Sequence, residues 1–509
     1  MSLTRREFLW GATASGLAWP MVAAAQTGSD LFRHGVASGD PQGARVILWT
    51  RVTPAAVVRP VELRWRIASD AALMRTVQTG TVTTTAERDF TVKVDAQGLQ
   101  PGRTYYYAFE SGGQRSPIGR TRTLPAGPLT RLRLASMSCA NYPAGFFNVY
   151  RMVAAREDLD AVVHLGDYMY EFANGVYGEG TALKRLPQPL YETVALEDYR
   201  QRYATYRSDP DLQEAHRQHP FIAIWDDHEI TNDAWIGGAQ NHNPEQGEGT
   251  WAARRAAAWR AYMEWMPIRE QPDTDIKLYR RFRFGNLADL VMVDTRSLRD
   301  RQAAADDLAA INSPARRVMG AAQEAWLYET LRTSQAAGIP WRIIGQQVLF
   351  SRLVPAGRNL TFTDVWDGYQ AERERVFDFL VRTQARNIAI LTGDLHSSWA
   401  LDVPRNPWAG YRPQAGAGSL AVELVTPAIS SPGLFSPEQA ANIAAAMRVA
   451  LPTLKYLEGQ QRGYVLVDVT AQRLRADWYH ALTVDEQRSG ERLAASFVCE
   501  SGSGHLASA

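Results

Sequence analysis

The pattern of hydrophobic and polar positions divides the chain into two regions that meet near residue 125. In the first region, short apolar runs are separated by turns and Thr-rich stretches, as expected for half-buried strands. Residues 61–67 alternate apolar with polar side chains, and a Tyr-rich run follows the turn at 98–102. Strands at this spacing predict an all-β sandwich over residues 30–125.

The second region, residues 128–509, begins after a Pro/Gly-rich linker and has a different character. Short apolar runs alternate there with helical stretches, which predicts a layered α/β core. The sandwich before it, with its turn and Tyr-rich strand, is similar to a fibronectin/Ig-like module. We therefore predict two domains, an N-terminal β-sandwich followed by an α/β domain.

Polar residues able to bind a ligand directly follow several apolar runs of the second region. These runs occupy residues 131–137, 161–166, 221–225, 290–293, 341–345 and 388–391. Open α/β sheets hold their sites just beyond the carboxyl ends of their strands. We therefore expect these polar residues to gather at the strand ends of one common sheet.

The segments between these runs predict one clear helix and two long loops. Residues 251–266 are rich in Ala and Arg and favour a helix, whereas 172–190 and 236–249 are rich in Gly, Pro and Asn. Loops of this length commonly line or cover a site. A late helical cap is expected at 431–454, and a closing hairpin at 464–480.

The N-terminus predicts export. Arg5 and Arg6 precede a mildly apolar stretch from Leu9 to Val22, and small residues follow at 23–25. Paired arginines ahead of such a stretch are typical of a twin-arginine signal. The stretch is shorter than the roughly 20 apolar residues of a spanning helix. We predict a signal peptide at residues 1–25, the twin-arginine export machinery as a partner, and a periplasmic or secreted location.

Composition excludes several other classes of protein. With 509 residues the chain is too long for one ordinary core, which agrees with two domains. Hydrophobic residues make up 45% and charged residues 21%, which excludes a disordered chain. A net charge of +1 gives no reason to expect nucleic acid or an anionic membrane as a stable partner. The only cysteines, Cys139 and Cys499, allow one disulfide but no disulfide framework.

Three residues that follow apolar runs are candidate metal ligands, and each has a simpler alternative. A carboxylate at Asp167, after a buried strand, needs a partner such as a metal ion, or it caps the next helix. Tyr170 can ligate only as a phenolate, whose free pKa near 10 demands a strong Lewis acid such as Fe(III). Otherwise Tyr170 packs in the core. Cys139 is a candidate thiolate ligand, a nucleophile or an inert buried thiol.

Two further motifs complete the candidate site. Asp226 to Glu229 places four ionisable residues directly after an apolar run, where we expect one aspartate to bind a metal and His228 to face the substrate. A solvated turn is the alternative. Asp394 and His396 can both reach one dinuclear centre. Hard oxygen ligands favour Ca(II), Mg(II) or Mn(II), whereas Cys and Tyr favour a more Lewis-acidic ion. The combined set predicts a mixed-metal site that activates a bound water and holds phosphate oxygens.

A series of motifs, in order along the chain, carries a family resemblance over nearly its whole length. Residues 32–41 and 48–51 are similar to the opening of that family's β-sandwich. The remaining motifs are Ser138-Cys139, Gly166 to Glu171, Trp225 to Glu229, Asp294 to Arg296, Trp366 to Tyr369 and Gly393 to His396. Together they make the chain resemble the PhoD-like alkaline phosphatase/phosphodiesterase family.

This resemblance implies a metallophosphoesterase-type α/β sandwich with one Fe(III) and one or two Ca(II), other divalent ions being possible. The iron ligands that it implies are Cys139, Asp167, Tyr170 and His396, with Asp167 bridging. The implied ligands of the divalent ion are Asp227 and Asp394. By the same likeness, His228 would contact the phosphate or protonate the leaving group, and a metal-bound hydroxide would be the nucleophile. Asn141, Asp294 and Arg296 are implied to line the site.

These features predict an exported, metal-dependent enzyme that hydrolyses phosphate mono- and diesters. One alternative is a phospholipase D-like enzyme that acts on phospholipid head groups. The other is a non-catalytic, surface-binding protein built on the β-sandwich. The resemblance also implies a lid over the site, for which residues 431–454 or the final residues are candidates.

Overall fold

The computed structural model describes residues 30–55, 59–270, 276–355, 362–488 and 490–509. The predicted signal peptide lies outside the described residues, so export stays a prediction. Within the described ranges, no helix has both the length and the apolar character needed to cross a bilayer.

The strands of the N-terminal region follow the predicted apolar runs. They are β1 (Val36–Gly39), β2 (Val46–Arg51), β3 (Val61–Ala68), β4 (Thr76–Thr84), β5 (Thr91–Ala96), β6 (Thr104–Ser111), β7 (Gln114–Arg115) and β8 (Gly119–Arg122). One sheet has the order β4-β3-β6-β7, with β8 beside β6, and it packs on the row β1-β2-β5. Leu48, Trp65 and Tyr107 belong to the apolar core between them. The predicted β-sandwich is therefore confirmed.

The strands of the second region include one at each of the six predicted apolar runs. They are β9 (Leu132–Met137), β10 (Ala161–His164), β11 (Pro220–Ala223), β12 (Arg280–Phe284), β13 (Ala288–Met292), β14 (Trp341–Gln346), β15 (Ile388–Thr392), β16 (Ser398–Pro404), β17 (Ser419–Val425), β18 (Leu454–Glu458), β19 (Gly463–Val469), β20 (Arg473–Ala481), β21 (Glu491–Glu500) and β22 (Leu506–Ser508). The predicted closing hairpin is β19 and β20, which pair antiparallel.

The helices separate these strands. They are α1 (Asn148–Ala154), α2 (Leu196–Arg207), α3 (Pro210–Gln218), α4 (Trp251–Trp265), α5 (Leu308–Ile311), α6 (Gly320–Ala336), α7 (Gln370–Thr383) and α8 (Pro437–Ala450). The predicted helix at 251–266 is α4, which begins after Thr250, whose side chain accepts a hydrogen bond from the backbone N–H of Ala253. The predicted late cap contains α8.

Two large sheets face each other in the second region. One has the order β22-β21-β20-β19-β9-β10-β11-β1-β2-β5, and the other β12-β13-β14-β15-β17-β16-β18. Along β15, Ala389 and Leu391 point into the core between the sheets, whereas Ile388 and Ile390 contact the outer core beside α6 and α7. Helices α1 to α4 pack on the first sheet. The result is the four-layer α/β sandwich that the resemblance implies.

The expectation of one common sheet is wrong. The parallel strands β9, β10 and β11 lie in the first sheet, and the parallel strands β13, β14 and β15 lie in the second. Both sets are continuous apolar runs, because these strands are buried on both faces. Such runs do not indicate whether two strands belong to one sheet or to two. The carboxyl ends of both sets nevertheless meet at the same edge of the sandwich, which is where the predicted residues lie.

The N-terminal sandwich is continuous with this core. Strand β1 pairs in parallel with β11, so that Ser38 lies beside Pro220 and Gly39 beside Phe221. The sheet β1-β2-β5 therefore belongs both to the sandwich and to the larger sheet. The predicted domain boundary at residues 125–128 stays a prediction, but the two regions share one hydrogen-bonded sheet.

Candidate metal centre and active site

The loops after β9, β10 and β15 bring the four predicted iron ligands together. Ligand atoms of Cys139, Asp167 and His396 lie within 4.8 Å of one another. The Tyr170 hydroxyl donates to Asp167 Oδ2 at 2.9 Å and lies 2.9 Å from His396 Nε2. One thiol, one carboxylate, one phenol and one imidazole thus converge on a single point, although they come from strands of two different sheets.

A second group of carboxylates adjoins the first. Ligand atoms of Asp226, Asp227 and Asp394 lie within 4.8 Å of one another. Those of Asp167 and Asp227, together with a nitrogen of His228, form an overlapping set. Asp167 therefore belongs both to the first group and to this overlapping set, and Asp227 connects the overlapping set to Asp226 and Asp394. A carboxylate placed between two groups in this way has the position that a bridging ligand requires. The prediction of one metal-binding aspartate after β11 understates the site, since both Asp226 and Asp227 reach it.

Arg296 lies among these carboxylates and is only 1% exposed. Its guanidinium donates to Asp226, to Asp364 Oδ2 at 2.6 Å and to Asp394 Oδ1 at 3.0 Å, and it lies 3.5 Å from Asp227 Oδ1. Its donors are therefore directed at protein carboxylates. The geometry favours a positioning role for Arg296, since it fixes the carboxylates relative to one another.

His228 is oriented by a buried glutamate. Its Nδ1 lies 2.8 Å from Glu171 Oε2, and Glu171 Oε1 accepts from the Asn232 backbone N–H at 2.7 Å and the Thr231 hydroxyl at 3.1 Å. This bond directs Nε2 away from Glu171. Burial opposes the charged imidazole, but Asp227, Glu171 and Asp167 together raise the pKa of His228 well above 6.5. The neighbouring carboxylates therefore favour the charged form of His228.

The backbone at the predicted ligands adopts an uncommon conformation. Cys139, Asp167, Asp394 and His396 have φ angles of 65°, 52°, 63° and 49°, in the left-handed region that non-glycine residues seldom occupy. Gly166 shows how closely the loops approach: a Cβ there would lie 2.4 Å from Asp226 Cβ. Strained backbone of this kind concentrates at functional sites, where the surrounding structure enforces it.

Glu229 fixes the two loops that carry Asp167 and Asp226. Its buried carboxylate accepts the backbone N–H groups of Asp167 at 3.0 Å, Tyr168 at 2.7 Å and Asp226 at 2.8 Å. Since β10 and β11 are neighbours, these bonds join the loop ends directly. The motif after β11 therefore contains a structural carboxylate as well as candidate ligands.

The donor set fits metal ions. Asp167 Oδ1, Asp226 Oδ2 and Asp227 Oδ1 are buried oxygens without a hydrogen-bond partner among the described residues. Burial raises the pKa values of Asp226, Asp227 and Asp394, and Arg296 only partly offsets this. Crowded, desolvated carboxylates are costly as ions unless a cation is close by. The residues present thus provide what a bound cation needs.

The softer ligands fit by the same reasoning. Burial, and then the charge of Asp167, raises the pKa of both the Cys139 thiol and the Tyr170 phenol. Burial also disfavours ionised Asp167, but the charge of His228 and the hydrogen bond from Tyr170 lower its pKa to about 2. A thiol and a phenol in such a place ionise only when a cation replaces their protons.

The remaining predicted residues have identifiable contacts. Asn141 Nδ2 donates to the Tyr177 carbonyl at 2.5 Å, and its Oδ1 has no partner among the described residues. The Asp294 carboxylate accepts from the Arg296 backbone N–H at 2.9 Å and from the Ser297 hydroxyl at 2.6 Å. Asp294 therefore shapes the turn that presents Arg296. The catalytic and ligand roles assigned to individual residues stay predictions.

The two segments predicted as a possible lid lie at different places relative to the site. Ser431 donates to the Tyr170 hydroxyl at 2.8 Å, and the Pro432 carbonyl lies 3.0 Å from His396 Nδ1, so the start of the 431–454 segment contacts the site. The final residues form β22, which pairs with β21 at the edge of the first sheet. The final residues are therefore not a lid.

Cys139 and Cys499 are both free and buried, so no disulfide joins them.

Several site residues were not predicted from sequence. Glu171 was recognised only within a motif, and Tyr177 and Asp364 lie in loops without a pattern of their own. Asp364 Oδ1 lies 3.0 Å from Arg299, and Asp364 Oδ2 anchors Arg296. The only available signal was their position in loops after strands that already carried candidates.

Comparison with known proteins identifies the family of this chain. The family models for the PhoD-like phosphatase and for its N-terminal domain match residues 134–478 and 16–125. Alkaline phosphatase D of Bacillus subtilis (strain 168) is 35% identical over 525 residues, covering 97% of this chain and 87% of that protein. A solved structure described as "Structure of PhoD" has a TM-score of 0.85 and 33% identity, covering 94% of this chain and 92% of that chain.

The fold and these matches define a phosphoric ester hydrolase. The chain belongs to the PhoD-like phosphatase family. The predicted family, fold class and enzyme class are thereby confirmed, and phosphoesters are the substrates that the family implies. This membership favours an enzyme over the non-catalytic, surface-binding alternative.

Proposed function

We propose that this protein hydrolyses phosphate monoesters and diesters at a metal centre held between the two large sheets. The observation that carries the proposal is that the ligand atoms of Asp167 lie close both to those of Cys139 and His396 and to those of Asp227 and His228. A shared carboxylate is the natural bridge of a dinuclear site, and paired ions suit the displacement of one phosphate oxygen by another.

The metals that this ligand set suits best are Fe(III) and Ca(II). Cys139, Asp167, Tyr170 and His396 would hold Fe(III), since thiolate and phenolate ligands favour a Lewis-acidic ion. Asp227 and Asp394, with Asp226 beside them, would hold one or two Ca(II) or another hard divalent ion. When bound, such ions lower the pKa of a water and neutralise phosphate oxygens.

The protein's own groups supply the remaining chemistry. His228, held through Nδ1 by Glu171, directs Nε2 toward the carboxylate cluster and donates a proton to the departing oxygen of the substrate. Arg296 keeps the carboxylates at fixed separations and offsets part of their charge. Asn141 has a free buried oxygen beside the site and remains a candidate lining residue.

We further propose that the chain is exported in its folded state. Arg5 and Arg6 ahead of an apolar stretch support recognition by the twin-arginine machinery, with the product periplasmic or secreted. That route carries folded proteins, which suits an enzyme that acquires metal in the cytoplasm. A fusion of residues 1–25 to a reporter tests this, and Arg5→Lys with Arg6→Lys should retain the reporter inside the cell.

The metals are tested by elemental analysis and visible absorption of the purified protein. Iron with calcium and a charge-transfer band supports the proposed pair, because a phenolate on Fe(III) absorbs visible light. A colourless protein that contains only zinc or manganese would contradict the iron assignment but leave phosphoester hydrolysis intact. Substrate class is tested with p-nitrophenyl phosphate, bis(p-nitrophenyl) phosphate and phosphatidylcholine vesicles. Faster turnover of the vesicles would favour the phospholipase D-like alternative.

A further inference from the structure

Tyr177 extends from the 172–190 loop into the metal centre, although the proposed function gives it no role. Four aromatic side chains of the site surround its ring. They are Tyr170 at 5.6 Å, Phe172 at 5.6 Å, His396 at 6.1 Å and His228 at 6.3 Å between ring centroids. The ring is nearly parallel to that of His228, with 10° between the planes. The loop therefore places one tyrosine against both histidines of the site.

The Tyr177 hydroxyl and a backbone carbonyl contact the same nitrogen atom of His396. It lies 2.9 Å from His396 Nδ1, and the Pro432 carbonyl oxygen lies 3.0 Å from the same nitrogen. A carbonyl oxygen can only accept a hydrogen bond, so Nδ1 carries the proton. The Tyr177 oxygen then accepts from this N–H, and its own proton is not used in the contact.

The hydroxyl proton of Tyr177 has no acceptor in the part of the chain that the structure describes. Among the described residues, the hydroxyl of Tyr177 forms no hydrogen bond other than the contact with His396. The tautomer with its proton on Nδ1 also leaves Nε2 of His396 unprotonated, on the side of Tyr170 and Asp167. Imidazole ligands of metals usually donate their other N–H to a carbonyl in this way. The arrangement that suits His396 as a ligand is thus the one that frees the Tyr177 O–H.

We propose that Tyr177 is a further substrate-contacting residue, whose O–H donates a hydrogen bond to a phosphoryl oxygen of the bound ester. The proposal rests on the proposed function, since it takes the centre beside His396 and His228 as the place of the phosphoryl group. Carboxylates supply most of the polar atoms there and repel an anion, so neutral donors carry particular weight.

The test removes the hydroxyl and keeps the ring. Tyr177→Phe is compared with Tyr191→Phe, a matched control on the adjoining segment, since Tyr191 is exposed and its hydroxyl donates to Asp198 at 3.2 Å. Three properties are measured for each variant: kcat/KM with p-nitrophenyl phosphate, the Kd of inorganic phosphate by calorimetry, and metal content. Hydrogen bonds to charged groups predict a fall of about 10- to 100-fold in kcat/KM for Tyr177→Phe. Phosphate affinity should fall about tenfold, with wild-type metal content.

Two outcomes overturn the proposal. Unchanged phosphate affinity in Tyr177→Phe would show that the hydroxyl does not contact the phosphoryl group. A loss of metal that accounts for the whole loss of activity would show that it acts through His396 alone. A wild-type protein that fails to hydrolyse p-nitrophenyl phosphate would contradict the proposed function instead, and calorimetry would still decide whether Tyr177 contacts phosphate.

Discussion

Replacement of Glu229 by Gln tests whether this buried carboxylate positions the metal centre. Glu229 Oε2 accepts the N–H groups of Asp167 and Asp226, and Oε1 accepts that of Tyr168. An amide retains one oxygen, so at least one buried N–H loses its acceptor. We expect a loss of roughly 2–4 kcal/mol in the free energy of unfolding.

The positioning role predicts more than lost stability. The backbone at Asp167 is held in the left-handed region by these bonds, so the Gln variant should bind less metal and show a lower kcat/KM. Glu372→Gln is the matched control, since Glu372 is also buried and accepts the Val318 and Met319 N–H groups on the far side of the second sheet. Denaturation, elemental analysis and p-nitrophenyl phosphate turnover are measured for both variants. Glu229→Gln with wild-type metal content and turnover, but with reduced stability, would refute the reasoning.

Three further predictions follow from the site and its surroundings. Tyr170→Phe should fold and bind metal but lose the visible charge-transfer band, and an unchanged band would place the phenolate elsewhere. His228→Gln should slow the hydrolysis of an alkyl phosphate by about 100-fold or more and that of p-nitrophenyl phosphate much less, because a good leaving group needs no proton. Equal losses of rate for the two substrates would argue against the proton-donor role. Burial lowers the pKa of His219 to about 4, so its neutral form stabilises the fold above pH 6.5 and that contribution is lost as pH falls. Between pH 7 and pH 5, the free energy of unfolding should therefore fall by about 2 kcal/mol less in His219→Gln than in wild type. Thermal or urea denaturation measures this, and parallel pH profiles would contradict it.

The sequence predicted those parts of the site that sit next to a strand. Asp167, Asp227 and Asp394 each follow an apolar run within a few residues, so the rule on strand ends identified them. Strand order was not predictable in the same way. Whether β10 and β15 share a sheet depends on pairing between segments more than 200 residues apart, and a run buried on both faces carries no signal of its partner.

The missed residues depend on contacts that no local pattern encodes. Glu171 reaches His228 across 57 residues of sequence, and Arg296 reaches Asp364 across 68. Tyr177 lies in a Gly-rich loop whose path is set by packing against Asn141 and His396. Such residues can be named from sequence only as members of a loop near a site. Their roles follow from the tertiary structure.

The central claim is that phosphoester hydrolysis depends on metal ions held at Asp167 and its neighbours. The most direct measurement is the turnover of p-nitrophenyl phosphate by the metal-replete protein, by the chelator-treated protein and by the same sample after metal is restored. The account predicts that turnover disappears with the metal and returns when Fe(III) and Ca(II) are added together, but not in Asp167→Asn. Full turnover by protein shown to be free of metal would contradict the account.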